Sequence, residues 1–277
     1  MPPFGRRKLT CWLRFDGGLW WTTPDGAEAT RARHAHEVAR GYESHLIGRA
    51  DTSDRVSGVQ VGAGLAIHNP GDGWVSLPHL IRELADELVR RGGRLVTGAG
   101  RCSVLVEDGR ARGVRGADGT SWRGDAVVAA CGAQTPAVLA ELGVDLPDAS
   151  PLSMLVITEP VETEVVTVLN TPRAAMRPNP GSTFAIDQEL IAEASALLQG
   201  DVTLRAASWR LGRKPIPADG EPVFGELESV PGCHVAFTHS GATLGLIAGE
   251  LTAYEVLTGT GHPLLADFRP ERFSRTG

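Results

Sequence analysis

Between Leu77 and Arg91 apolar residues return at helical spacing, at Leu77, Leu80, Ile81, Leu84, Ala85 and Leu88, with charged residues between them. Ser76 stands where a helix start takes a side-chain acceptor and Gly92-Gly93 where a helix stops, so the pattern predicts one amphipathic helix. The period then drops toward two. Arg94 to Thr97, Ser103 to Glu107, Ala111 to Arg115 and Asp125 to Ala130 read as strands, with turns at Glu107-Asp108-Gly109 and Ala117-Asp118-Gly119. Upstream, alternation on both sides of Asp16-Gly17-Gly18 predicts a hairpin over residues 11–25, and residues 27–47 read as a weakly amphipathic helix. Downstream, Leu152 to Thr158 and Glu164 to Leu169 are rich in β-branched residues and alternate. Gln188 to Leu198 reads as a helix and Cys233 to Phe237 as a buried strand.

That last strand breaks into small residues, Thr238-His239-Ser240-Gly241-Ala242-Thr243-Leu244-Gly245, before Leu244, Ile247, Leu251 and Tyr254 resume helical spacing. A helix N-terminus carries unpaired N–H groups and about half a positive charge, so a bare one admits an anionic or electron-rich ligand to the backbone. The competing reading is that Gly241 and Gly245 let the helix pack closely on a sheet. A similar break follows Ala126 to Ala130, where Cys131-Gly132-Ala133 leaves room for a ligand at the carboxyl edge of an open α/β sheet or simply turns the chain. Helix, strand, meander and apolar strand, with an antiparallel stretch near residues 150–216, give an α/β (α+β) fold.

Composition narrows the classes. The 277 residues suffice for one large domain or two small ones, and a formal net charge of -6 argues against a general nucleic-acid binder. Cys11, Cys102, Cys131 and Cys233 form no Cys-x-x-Cys pair, which points away from a zinc site or a disulfide scaffold. The apolar stretch after Arg7 is too short and polar for a signal-peptide core and no run reaches membrane-spanning length, so a cytoplasmic location without membrane contact is the expectation.

Five segments in order carry a more specific signal: GWVSLPHLIRELADELVRRGG, RGDAVVAACGAQTP, GRKPIPADGEPVFG, THSGATLGLIAGE and FRPERF. Together they resemble the FAD-dependent D-amino-acid oxidase family, the broad group of glycine oxidases, sarcosine oxidases and related amine dehydrogenases, over about residues 11–273. The resemblance implies a partial FAD-binding Rossmann-like sheet at 75–149 and 217–277, and an antiparallel, β-rich substrate domain at 9–74 and 150–216. It also implies that Thr238, His239, Ser240, Gly241, Ala242, Thr243 and Leu244 lie beside the flavin, with Gly132, Pro215, Asp219 and Gly220 nearby. The helix start would be bare because a flat, electron-accepting ring sits against it.

One departure bears on the cofactor. The family's opening strand, Gly-x-Gly-x-x-Gly turn and helix, which hold the pyrophosphate, are absent from these residues. The expectation is a sheet lacking two strands, with an exposed edge that self-associates or accepts a separate dinucleotide-binding chain, and weak FAD binding by the chain alone. Truncation or loss of the FAD role are the alternatives.

The reaction implied is hydride removal from the carbon beside an amine, in a small-molecule amine or amino acid. A substrate carboxylate calls for a cation. The family's Arg-Pro position corresponds to Lys214-Pro215 in Gly212-Arg213-Lys214-Pro215, and Arg177 and Arg210 are alternative clamps, each weighed against a plain surface salt bridge. His239 invites a proton-transfer role, weighed against a helix cap or a flavin contact. Ser240 lacks the first glycine of a Gly-x-Ser-x-Gly elbow, which speaks against a serine hydrolase. The second class of reading is a non-catalytic binding or assembly module that keeps the oxidase scaffold.

Overall fold

The computed structural model describes residues 11–48, 51–52, 56–60, 64–172, 174–187, 190–200 and 202–273. It divides into two compact units, Met1–Arg91 with Ser153–Leu211, and Gly92–Leu152 with Gly212–Gly277. In chain order the first segment carries β1 (Leu13–Arg14), β2 (Gly18–Trp20), α1 (Ala27–Ala39), β3 (His45–Gly48), β4 (Leu65–Asn69), β5 (Trp74–Val75) and α2 (Leu77–Arg90). Then come β6 (Ser103–Glu107), β7 (Arg110–Arg115), β8 (Ser121–Arg123), β9 (Val127–Ala129) and α3 (Thr135–Ala140). β10 (Leu152–Thr158), β11 (Val168–Asn170), β12 (Ala175–Asn179), β13 (Thr183–Asp187), α4 (Ile191–Ser195) and β14 (Ala206–Arg213) follow. The chain closes with β15 (Val223–Glu226), β16 (Cys233–Phe237), α5 (Gly241–Thr258) and the 3-10 turns Pro263–Phe268 and Pro270–Phe273.

The first unit is built on an eight-stranded sheet, β14-β10-β13-β12-β11-β2-β4-β3, antiparallel where its register is defined except for the parallel pair β11–β2. Inward-facing residues of alternate positions, Leu19, Leu169, Met176, Phe184 and Ile186, make its core. Phe184 is fully buried, and its backbone N–H donates to Thr158 Oγ1 at 2.9 Å, tying β13 to β10 through a side chain as well as the ladder.

The second unit contains two small sheets. The strands β6-β7-β8 form an antiparallel meander. In β15-β16-β9, β16 runs parallel to β9, with Cys233 opposite Val127 and Val235 opposite Ala129, and antiparallel to β15. One face of β16, Cys233, Val235 and Phe237, packs with Leu139 of α3, while on the other face Ala236 joins Phe224, Ala248, Leu251 and Leu265.

Several expectations are corrected. Residues 11–25 form no hairpin: β1 pairs with β5, whereas β2 pairs with β4 and β11, between which Leu19 is fully buried. Residues 94–97 are irregular, since among the described residues no strand pairs with them. The expected helix over 27–47 stops at Ala39, and His45–Gly48 is a strand. Of Glu164 to Leu169 only Val168 and Leu169 enter a strand, and α4 is shorter than expected, part of that stretch (188–189) lying outside the described residues. The helix α2 matches its pattern, and its Ile81, Leu84 and Leu88 are exposed.

Truncating the best-packed aromatic of the first unit should be costly. Phe184→Ala is expected to destabilise that unit by about 3–5 kcal/mol, read as a lowered urea midpoint.

Candidate functional site

The geometry of β9, β16 and β15 assembles most of the residues singled out in the sequence. Parallel strands end at the same edge, so the turn after β9, which holds Gly132, and the turn after β16, which holds Thr238 to Gly241, are neighbours. Because β15 is antiparallel to β16, with Val223 opposite Phe237, the loop leading into β15 reaches that same edge and brings Asp219 and Gly220 with it. Three chain segments far apart in sequence thus converge at the carboxyl edge of a parallel pair, where open α/β sheets place ligands.

Local chemistry shapes each segment. Gly132 has φ +55°, a conformation that costs a residue with a side chain, and it begins the 3-10 turn Gly132–Gln134; Cys131 N–H donates to Thr135 Oγ1 at 3.1 Å. At the start of α5, Thr238 Oγ1 accepts the Ser240 N–H at 3.1 Å, and Ser240 caps the helix with no side-chain hydrogen bond. A Cβ added at Gly132, Gly241 or Gly245 would meet nothing within 4 Å. Close packing of this unit's own atoms therefore does not account for the small residues at 241 and 245, and Gly241, Ala242 and Thr243 are exposed. His239 is exposed, with Ser240 Oγ at the outer limit of hydrogen bonding, 3.4 Å, from its ring.

The loop before β15 is braced on both sides. Lys214 N–H donates to Pro151 O, Ile216 N–H to Ser150 Oγ, and Ala218 N–H to Pro147 O, so Pro215 and the half-buried Lys214 lie along the 147–151 segment. Arg213, next to the expected clamp, donates from Nε and Nη2 to Ser150 O. Asp219 is held by Arg272, whose Nε and Nη2 donate to its two carboxylate oxygens at 2.7 and 3.0 Å. The Arg272 hydrogen bond keeps the Asp219 pKa below the usual carboxylate range, against desolvation. Gly220 turns the chain at φ +81°.

In the first unit, Arg177 is half-buried on β12 and its Nη1 lies 3.3 Å from Asp187 Oδ1, an ion pair at the base of the β12–β13 hairpin. Arg210 is exposed on β14, every residue of which is exposed. Two clefts among the described residues are lined by side chains other than those chosen from the sequence. One of about 780 Å³ is lined by Trp74, Val161 and Phe184, the other, of about 390 Å³, by Glu226, Glu271 and Arg269. The sequence reading also missed Arg272 and Arg269. The closing FRPERF motif named the segment, but its charge partners are distant in sequence.

Comparison with known proteins gives the family and the fold. Residues 4–255 match the family described as FAD dependent oxidoreductase. The chain is 30% identical over 231 residues to a D-amino acid dehydrogenase of Methylobacterium sp. (strain 4-46), covering 74% of this chain and 54% of that protein, so it spans about half the length of this curated relative. In fold it is similar to glycine oxidase from Geobacillus kaustophilus (TM-score 0.82, 19% identity, 94% of this chain and 75% of that one). It is also similar to iminodiacetate oxidase from Chelativorans sp. BNC1 (TM-score 0.79, 20% identity, 93% and 76%).

The two turn glycines should differ in what they tolerate. Gly132→Ala is expected to cost about 1–2 kcal/mol, because only glycine takes that left-handed conformation freely. Gly241→Val is expected to change stability by less than about 1 kcal/mol, since the added side chain points into open space. Chemical denaturation of both variants checks the contrast.

Proposed function

The chain belongs to the family of FAD-dependent oxidoreductases, and we propose that its second unit receives the flavin end of that cofactor along the carboxyl edge of β9 and β16. The observation that carries this reading is the convergence of the Gly132 turn, the Asp219–Gly220 loop and the bare start of α5 at one sheet edge. Bound FAD supplies a two-electron acceptor for the C–H bond next to an amine nitrogen. The chain's own part is to bind and orient. The start of α5 offers backbone N–H groups and the positive end of the helix dipole to negative charge, and Thr238, by accepting the Ser240 N–H, fixes the turn that presents them.

The substrate class is an amine or amino acid. Lys214 is the preferred cation for a carboxylate, acting as a point charge rather than a fork. Arg177 is a weaker choice, being paired with Asp187, and Arg210 is an exposed alternative. His239 needs no base role, because hydride removal from an amine carbon calls only for a neutral amine. Pro215, Asp219 and Gly220 shape the edge and make no chemical contribution of their own; Asp219 does so through Arg272.

The finer reading includes a strand–Gly-x-Gly-x-x-Gly–helix segment docked beside β9. Among the described residues β9 is an edge strand with Val128 47% exposed, and Leu246, Ile247 and Leu257 of α5 face solvent. A parallel strand fits that edge, a helix fits the apolar residues, and the glycine turn supplies the pyrophosphate contacts. The same contacts form whether that segment is covalently continuous with the chain or separate.

The test is to prepare the chain with such a segment, load it with FAD and mix it anaerobically with amino acids, amines and nitrogen-free carboxylates. Bleaching of the yellow colour by the nitrogen compounds alone is expected; colour that survives all of them would sink the reading. Lys214→Ala should raise the half-saturating amino-acid concentration about 10- to 100-fold, the worth of a hydrogen bond to a charged group, with FAD content unchanged. Gly241→Val should lower FAD content at unchanged urea midpoint. Stoichiometric FAD binding by the isolated chain would remove the need for the docked segment.

A further inference from the structure

The cofactor edge leaves unused the most heavily buried charge cluster of the second unit. Glu255 on α5 is only 3% exposed, and it accepts hydrogen bonds from Arg269 Nη1 at 2.9 Å, from Arg269 Nη2, and from the His262 N–H at 2.7 Å. Arg269 belongs to the closing segment, and its guanidinium reaches Glu255 between Gly225 and Gly261, where a Cβ at either position would collide with it. Leu265 and Phe268 of the same segment pack with Phe224, Ala236, Ala248 and Leu251. Two further ties hold its end: Arg272 to Asp219, and Glu271 Oε1 accepting the Glu228 N–H at 3.0 Å.

His234 lies on the same face of β16 as Ala236, which packs with the Leu265 and Phe268 cluster of this segment. It is 4% exposed, and its Nδ1 is buried without a hydrogen-bond partner. The charged groups that face it are Glu226, directly opposite on β15, Glu255 of α5, Arg269 of the strap and Arg110 of β7. A charged imidazole there would be shut away from water, with Glu226 and Glu255 drawing the proton and Arg269 and Arg110 repelling it.

We propose that residues 263–273 form an acid-released strap, and that the buried imidazole of His234 is its trigger. In the closed state burial first, then Arg269 and Arg110, hold the His234 pKa below the ordinary value, against the pull of Glu226 and Glu255. Once the strap lifts, the imidazole meets water and binds a proton in the ordinary range near about 6.5. The open state therefore binds more protons, and it gains on the closed state as pH falls from that value toward the depressed one. Glu255 acts in the same direction at lower pH. Its pKa is held below the usual range by Arg269 and the His262 N–H although burial opposes this, so protonating it also favours opening. Release would free Arg272 from Asp219 and loosen the loop at the sheet edge; that consequence rests on the function proposed above, whereas the strap itself does not.

Amide hydrogen exchange of the full chain, corrected for intrinsic rates, reads the strap without any cofactor. Protection of the His262 and Leu265 amides is expected to fall as pH drops below about 6.5, by up to roughly tenfold per pH unit, the limit for one linked proton. His234→Gln should flatten that dependence, and Glu255→Gln should lower protection across the whole range. A His234→Gln chain that keeps the wild-type slope would overturn the proposal, as would flat protection in the wild type. Should His234→Gln fail to fold, NMR titration of His234 in the wild-type chain decides: it must protonate in step with loss of strap protection, and titration near about 6.5 with the strap still protected refutes the trigger.

Discussion

The parallel ladder between β9 and β16 is the interaction on which the second unit depends. Its two short strands are apolar and largely buried, Val127, Ala129, Cys233, Val235 and Phe237 forming the heart of a core with Leu139 and Val223. Parallel pairing sends both chains out at one edge, and antiparallel β15 returns a third segment to it. Had β16 paired antiparallel to β9, the turn with Gly132 and the start of α5 would lie at opposite ends of the sheet.

Around that ladder the unit spends few side chains on the edge itself and many on bracing what leads to it. Ser150 receives Ile216 N–H and Arg213, and Arg272 holds Asp219. An edge left bare in this way offers N–H donors and the positive end of a helix dipole, which suit a group that gains negative charge. Val128 on β9 and Leu246, Ile247 and Leu257 on α5 are exposed apolar residues of the same unit.

The charged groups at the other end obey a different constraint. A carboxylate as buried as Glu255 is tolerable only with its partner in place, and Arg269 reaches it because two glycines leave a passage. The closing segment is thus fixed by one ion pair in the interior and by weaker, more exposed ties at Asp219 and Glu228, so its attachment is concentrated at a single titratable locus.

Local order was legible in the sequence by itself. The helical spacing of α2, the strand patterns of β6, β10 and β16, and the small-residue start of α5 follow from periodicity and glycine placement, which depend on near neighbours. The ordered motifs likewise carried the family resemblance. Tertiary structure alone decided the pairing of β1 with β5 instead of β2, the absence of a strand at 94–97, and the engagement of Asp219 by Arg272. A strand needs a hydrogen-bonding partner and a buried charge needs a counter-charge, and those partners lie tens to hundreds of residues away, where no local spacing rule reaches.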